Sequence, residues 1–403
     1  MKIRNEFILL LLVLWSAINQ AAAQDTSRSP DSHPSILSQR IGFEFRPNYI
    51  FPTNRTLRSG EHKKLDNQFY GTHLKYAFQF SPDSYLGALY PNVWQGIGIS
   101  YNAFGNNAVG NPIAIYAFQS ARIAQITRRL SLNYEWNFGA SFGWHPYNAE
   151  SNPDNEIVGS KINAYINLGF ALEWQINRFW ILKGGVGFSH FSNGNTHYPN
   201  AGLNTVEAQI GIAHQFESAL PFKKNQANNN SSSDILPHLS YDIVIYGATR
   251  KQFYNPERYI IPGSFGIAGI NINPMYNFNK YLCAGLSLDA QYDESANLQH
   301  NVAGYDEEGE LRFYRPPVSE QLSLGVSLRA ELVMPVFSIN FGIGHNVLYR
   351  GDDLKGFYQV LVLKTHITRS FYLHTGYQLS RFRTPKNLML GIGYRFHNKR
   401  KRL

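Results

Sequence analysis

Residues 130–144, LSLNYEWNFGASFGW, alternate without interruption. Leu130, Leu132, Tyr134, Trp136, Phe138, Ala140 and Phe142 fall on one side, and Ser131, Asn133, Glu135, Asn137, Gly139 and Ser141 on the other. A period of two belongs to a β-strand with one apolar face. The pattern returns in INAYINLGFALEW, where Ile162, Ala164, Ile166, Leu168, Phe170, Leu172 and Trp174 line up. It returns again in QLSLGVSLRAEL, with Leu322, Leu324, Val326, Leu328 and Ala330 opposite Gln321, Ser323, Ser327, Arg329 and Glu331. A soluble sandwich also alternates, but it does not keep a large aromatic face on nearly every strand with Gly, Ser, Asn and Glu opposite. Ionised groups cannot look into hydrocarbon, so the polar face lines a lumen and the apolar face meets lipid.

The beginning of the chain agrees with that environment. MKIRNEFILLLLVLWSAINQAAAQ has basic Lys2 and Arg4, an apolar run from Phe7 to Trp15 and small residues at Ala21 to Ala23, which is the pattern of a secretory signal peptide over 1–23. The apolar run is too short to cross a bilayer as a helix, and no later run is long enough. The single cysteine, Cys283, rules out an internal disulfide framework and gives a thiolate metal site no second ligand. Aromatic residues make up 14% of the chain and Gly numbers 33 with only 43% hydrophobic residues, a balance that suits an exported barrel better than a soluble enzyme. The expected fold is therefore all-β, an antiparallel transmembrane β-barrel in the cell outer membrane. The net charge of +9 favours anionic partners. Export argues against nucleic acid and points to phosphorylated lipid at a membrane surface.

Connection lengths orient such a barrel. Short links at 127–129, Asn177-Arg178, Asn279-Lys280 and Met334-Pro335 alternate with long polar ones such as HPYNAESNPDNEIVGSK. Outer-membrane barrels have short periplasmic turns and long outer loops. Residues 24–40 read as a periplasmic tail, 41–216 as about eight strands, and 238–403 as about eight more. Residues 217–237, with the low-complexity run NNNSSS, read as a long periplasmic turn or a linker. INRFWILKGGVGFSHFSNGN and ITRSFYLHTGYQLSRFRT can be laid side by side, which suggests a diverged duplication. The rarity of tandem barrels and the clear closing strand NLMLGIGYRF favour one barrel of about sixteen strands; two tandem eight-stranded barrels are the alternative.

One polar pair stands out against this background. In RFWILKGGVGFSHFSNG, His190 and Ser192 share parity with Trp180, Leu182, Val186 and Phe188, so they point toward lipid at the end bordering a long outer loop. Asn204 shares the outward parity of the next strand, whereas Glu207 takes the lumen face. Polar residues on a lipid face are costly and tend to be functional, although at headgroup depth a histidine and a serine cost little. A histidine and a hydroxyl on neighbouring positions of one face are the minimum for a base-activated serine.

HFSN followed by PNAG, whose Asn200 lies ten residues after the histidine, resembles the motif of the PagL family of lipid A 3-O-deacylases, over roughly 41–216. The resemblance implies an eight-stranded outer-membrane barrel that hydrolyses the ester-linked 3-hydroxyacyl chain of lipid A. It implies Ser192 as nucleophile, His190 as general base, and Asn200 with Asn193 in support of the oxyanion. The acidic member of the family's triad falls on Asn204, which can orient an imidazole but adds no charge. The second half has Leu379 and Arg381 where His190 and Ser192 would fall. The expected function is hydrolysis of lipid A in the outer leaflet, with lipopolysaccharide as partner and neither metal nor cofactor. The alternatives are a porin or transporter, whose wet lumen needs sixteen strands closing together, and a barrel that binds lipid without cutting it.

Overall fold

The computed structural model describes residues 36–51, 67–81, 85–153, 155, 157–216, 237–254, 259–307, 311–380, 382 and 384–397. The expected signal peptide, most of the expected tail, nearly all of 217–237 and the basic C-terminal end lie outside these residues.

The strands expected from the alternation form two closed barrels of eight strands each. The first contains β1 (Ile36–Ile50), β2 (Gln68–Phe80), β3 (Val93–Ala103), β4 (Gly110–Gln125), β5 (Leu130–Trp144), β6 (Ile162–Gln175), β7 (Trp180–Ser192) and β8 (Leu203–Gln215). The second contains β9 (His238–Arg250), β10 (Phe265–Asn277), β11 (Leu282–Asp293), β12 (Leu322–Val333), β13 (Phe337–Tyr349), β14 (Phe357–His366), β15 (Phe371–Ser380) and β16 (Thr384–His397). Each barrel runs antiparallel in chain order. The first closes where β1 pairs with β8, from Ile50 opposite Thr205 to Arg40 opposite Gln215. The second closes where β16 pairs with β9, from Leu390 opposite Gly247 to His397 opposite Ser240.

A single barrel of about sixteen strands is therefore corrected to the tandem arrangement. The physical reason lies in the lumens, since eight strands enclose a space that side chains can fill. In the first barrel Glu44, Glu135 and Glu207 meet Arg46, Lys75 and Lys183, all buried. Lys75 Nζ lies 2.5 Å from Glu135, Lys183 Nζ 2.8 Å from Glu44, and Arg46 donates to Glu207 at 2.6 Å. In the second, Asp242 and Glu331 are clasped by Lys364 and Arg395, with Lys364 Nζ 2.7 Å from Asp242 and Arg395 2.9 Å from Glu331. Each lumen thus pairs its own charges, and the wide wet channel that a transporter reading needs does not form.

The outward faces are apolar as expected: Phe43, Leu74, Leu168, Val186 and Ile210 are exposed on the first barrel, and Ile245, Leu286 and Leu328 on the second. β1 begins at Ile36, inside the stretch read as tail. The alternation simply continues through its last residues, with Ser38 and Arg40 buried and Arg40 donating to Glu173 at 3.2 Å. No helix among the described residues is long and apolar enough to cross a membrane; the strands do so.

Candidate active site

β7 rises from a short turn with Leu182, Val186 and Phe188 exposed and Lys183, Ser189 and Phe191 buried. His190 and Ser192 continue the outward set and are half-buried. The register of β7 with β8 sets His190 directly opposite Asn204 and Phe191 opposite Leu203. On the other side β6 places Ile166 beside His190 and the small Ala164 beside Ser192. Facing side chains on adjacent antiparallel strands are within reach of one another, so the three polar groups form one row.

The row is hydrogen-bonded throughout. His190 Nδ1 lies 2.7 Å from Asn204 Oδ1, and His190 Nε2 lies 2.9 Å from Ser192 Oγ. An amide oxygen only accepts, so Nδ1 carries the imidazole proton and Nε2 is left to accept from the serine hydroxyl. On the lumen side an apolar bed backs the row. Phe191 and Leu203 are buried, with the Phe191 ring 5.4 Å from Trp144 and 5.1 Å from Tyr165.

The other two expected residues meet one another in the loop that follows. The backbone N–H of Asn193 donates to Asn200 Oδ1 at 3.1 Å, and Asn193 Nδ2 donates to the carbonyl of His197 at 2.9 Å. Because Asn200 Oδ1 is the acceptor there, the Nδ2 end is the donor of that side chain. Gly202, the last residue of PNAG, has a structural role beside the histidine. Its φ of +70° suits glycine, and a Cβ there would meet His190 Cε1 at 3.3 Å. A glycine two residues before a polar outward position in the next strand was the available signal.

Glu207, the nearest carboxylate in sequence, lies in the lumen as its parity requires. It accepts from Arg46 at 2.6 Å, Asn167 at 2.8 Å, Ser189 at 3.2 Å and Gln209 at 3.0 Å. Among the described residues no cluster of three or more His, Cys, Asp or Glu could hold a metal ion.

A closed barrel with an apolar outer face and an ion-paired lumen is an outer-membrane β-barrel. Residues 96–213 match the family described as Lipid A 3-O-deacylase (PagL), and residues 239–398 match the one described as Acyloxyacyl hydrolase, C-terminal domain. The two matches together take in most of the chain, which belongs to this outer-membrane lipid A deacylase family. No curated protein matches the sequence. Solved structures similar to it include Ail, the attachment invasion locus protein of Yersinia pestis, at 12% identity and a TM-score of 0.25, covering 44% of this chain and 98% of that one. Omp33 of Acinetobacter baumannii is 7% identical with a TM-score of 0.16, covering 90% and 100% respectively. The siderophore receptor PirA of Acinetobacter baumannii is 8% identical with a TM-score of 0.24, covering 84% and 68%.

Proposed function

We propose that the first barrel is a serine ester hydrolase that removes an ester-linked 3-hydroxyacyl chain from lipid A. The observation that carries this reading is the row Ser192, His190, Asn204 on the lipid side of β7 and β8, with bonds of 2.9 and 2.7 Å. Ser192 Oγ attacks the ester carbonyl while His190 Nε2 takes its proton. In this reading the Asn200 amide supports the oxyanion in the loop after Ser192, while Asn193, donating to Asn200 Oδ1 and to the His197 carbonyl, holds that loop in place. Collapse of the tetrahedral intermediate expels the sugar oxygen, which takes the proton from His190. Water then repeats the sequence on the acyl-enzyme and releases the hydroxy acid.

Asn204 holds the imidazole in the required tautomer but cannot stabilise the imidazolium with charge, so turnover is slow for a triad hydrolase. Glu207 does not supply that charge, because its oxygens are committed to Arg46 and to amides in the lumen. The second barrel carries no such row among the described residues. Leu379, aligned with His190, is paired with Pro385.

Mass spectrometry of lipid A from cells with and without the protein tests the assignment. The expected result is loss of the mass of one hydroxyacyl chain, abolished in Ser192→Ala. An unchanged lipid A profile, or the same loss in the variant, overturns it.

A further inference from the structure

Four of the short hairpin turns, two in each barrel, are built alike. In each, an apolar residue is followed by Thr or Asn, then Arg or Lys, then one more residue before the next strand: Ile126-Thr127-Arg128-Arg129, Ile176-Asn177-Arg178-Phe179, Phe278-Asn279-Lys280-Tyr281 and Ile367-Thr368-Arg369-Ser370. The Thr or Asn has a structural reason. Asn177 Oδ1 accepts the N–H groups of Phe179 at 2.8 Å and Trp180 at 3.0 Å, and Asn279 Oδ1 those of Tyr281 at 2.8 Å and Leu282 at 3.0 Å. Thr127 Oγ1 accepts from Arg129 and Leu130, and Thr368 Oγ1 from Ser370 and Phe371, in the same way. Local side-chain acceptors of this kind fix a turn.

The side chain of the cation at the next position takes no part in those acceptor bonds. Its side chain is not needed to close the turn, and Arg128, Arg178 and Arg369 are exposed with Lys280 half-buried. All four are nevertheless basic, and none of the four turns contains a carboxylate. The shoulders of the turns set the depth. Ile126, Ile176 and Phe278 before the turns, and Trp180 and Leu282 after them, are exposed large hydrophobics on the lipid-facing side. Arg178 also lies over the Phe179 ring at 5.3 Å and Lys280 over Tyr281 at 5.1 Å. Aromatic side chains at the end of an apolar belt mark the headgroup layer, and a cation one step beyond them reaches phosphate.

We propose that in each barrel, taken by itself, the short turns are an anchoring surface for anionic glycerophospholipid, with the cations of Arg128 and Arg178 in the first and of Lys280 and Arg369 in the second each set against a headgroup phosphodiester of the periplasmic leaflet. Arg at three of the four positions suits phosphate, to which a guanidinium donates two parallel hydrogen bonds. Peptidoglycan, the other anionic polymer on that side, lies beyond the aromatic depth and is the less favoured partner.

The test is lipid selectivity of the full-length protein in bilayers, read from the motionally restricted fraction of spin-labelled phosphatidylglycerol against spin-labelled phosphatidylcholine. The expected preference for phosphatidylglycerol is about fivefold at sites beside one cation. It falls to about one in R128Q/R178Q/K280Q/R369Q, with heat-modifiable electrophoretic mobility confirming closed barrels. Should that variant not fold, the wild-type protein alone decides. Its preference vanishes at about 1 M salt, where screening reaches about 3 Å. A wild-type protein without preference, or a preference that survives both the substitutions and high salt, overturns the proposal. Charge-dependent retention on purified peptidoglycan without lipid selectivity also overturns it.

Discussion

At the scale of single residues the molecule turns on what touches His190. That His190 and Ser192 share a face followed from their spacing of two, and that the face meets lipid followed from the apolar residues of the same parity. The 2.7 Å contact with Asn204 did not follow, because it depends on the register between β7 and β8, and register is a property of two strands rather than of one stretch of sequence. The contact leads to a prediction that runs against the usual effect of mutating a catalytic row. Asn204→Asp keeps the size of the side chain, presents only acceptors to Nδ1 and adds the missing charge. Loss of such a charge in a serine protease costs about 10⁴-fold. The variant is therefore expected to hydrolyse lipid A between about 10- and 10⁴-fold faster, measured as hydroxy acid released from lipid A in mixed micelles.

At the scale of elements, strands carry two tasks on opposite faces. β7 offers His190 and Ser192 outward while Lys183 and Ser189 enter the lumen network, and β8 offers Asn204 outward while Glu207 enters it. The network holds the register that the site depends on. Among the described cations of that lumen Arg46 has the most partners, bound to Glu44, Glu135, Glu207 and Asn167, with none of its side chain exposed. Removing one partner of a buried ion pair leaves the others unpaired. Arg46→Ala is expected to destabilise the first barrel by about 3–5 kcal/mol in reversible urea unfolding from lipid vesicles. It should also lower activity, although Arg46 lies on the far side of the wall from Ser192. The inward polar residues were legible from parity; which carboxylate meets which cation was not, since the partners come from strands distant in sequence.

At the scale of the whole molecule the strand number was legible and the closure was not. Alternation counts strands but says nothing of which edges meet, and two halves that each end on an aromatic, Phe216 and Phe396, fit one barrel of sixteen strands as well as two of eight. Since β1 to β8 close on themselves and balance their own lumen charges, residues 1–216 are expected to reach the membrane, fold and deacylate lipid A without β9 to β16. Heat-modifiable mobility and lipid A mass spectrometry check both halves of that statement, and the second barrel alone should fold without changing lipid A. The outward placement of the row has one more consequence. With Ser192 as the proposed nucleophile on the lipid-side wall, substrate arrives by sideways diffusion within the leaflet and the proposed reaction is two-dimensional. Its rate follows the mole fraction of lipid A in the surface rather than the bulk concentration, and inert lipid slows it by dilution even when the amounts of protein and substrate are held fixed.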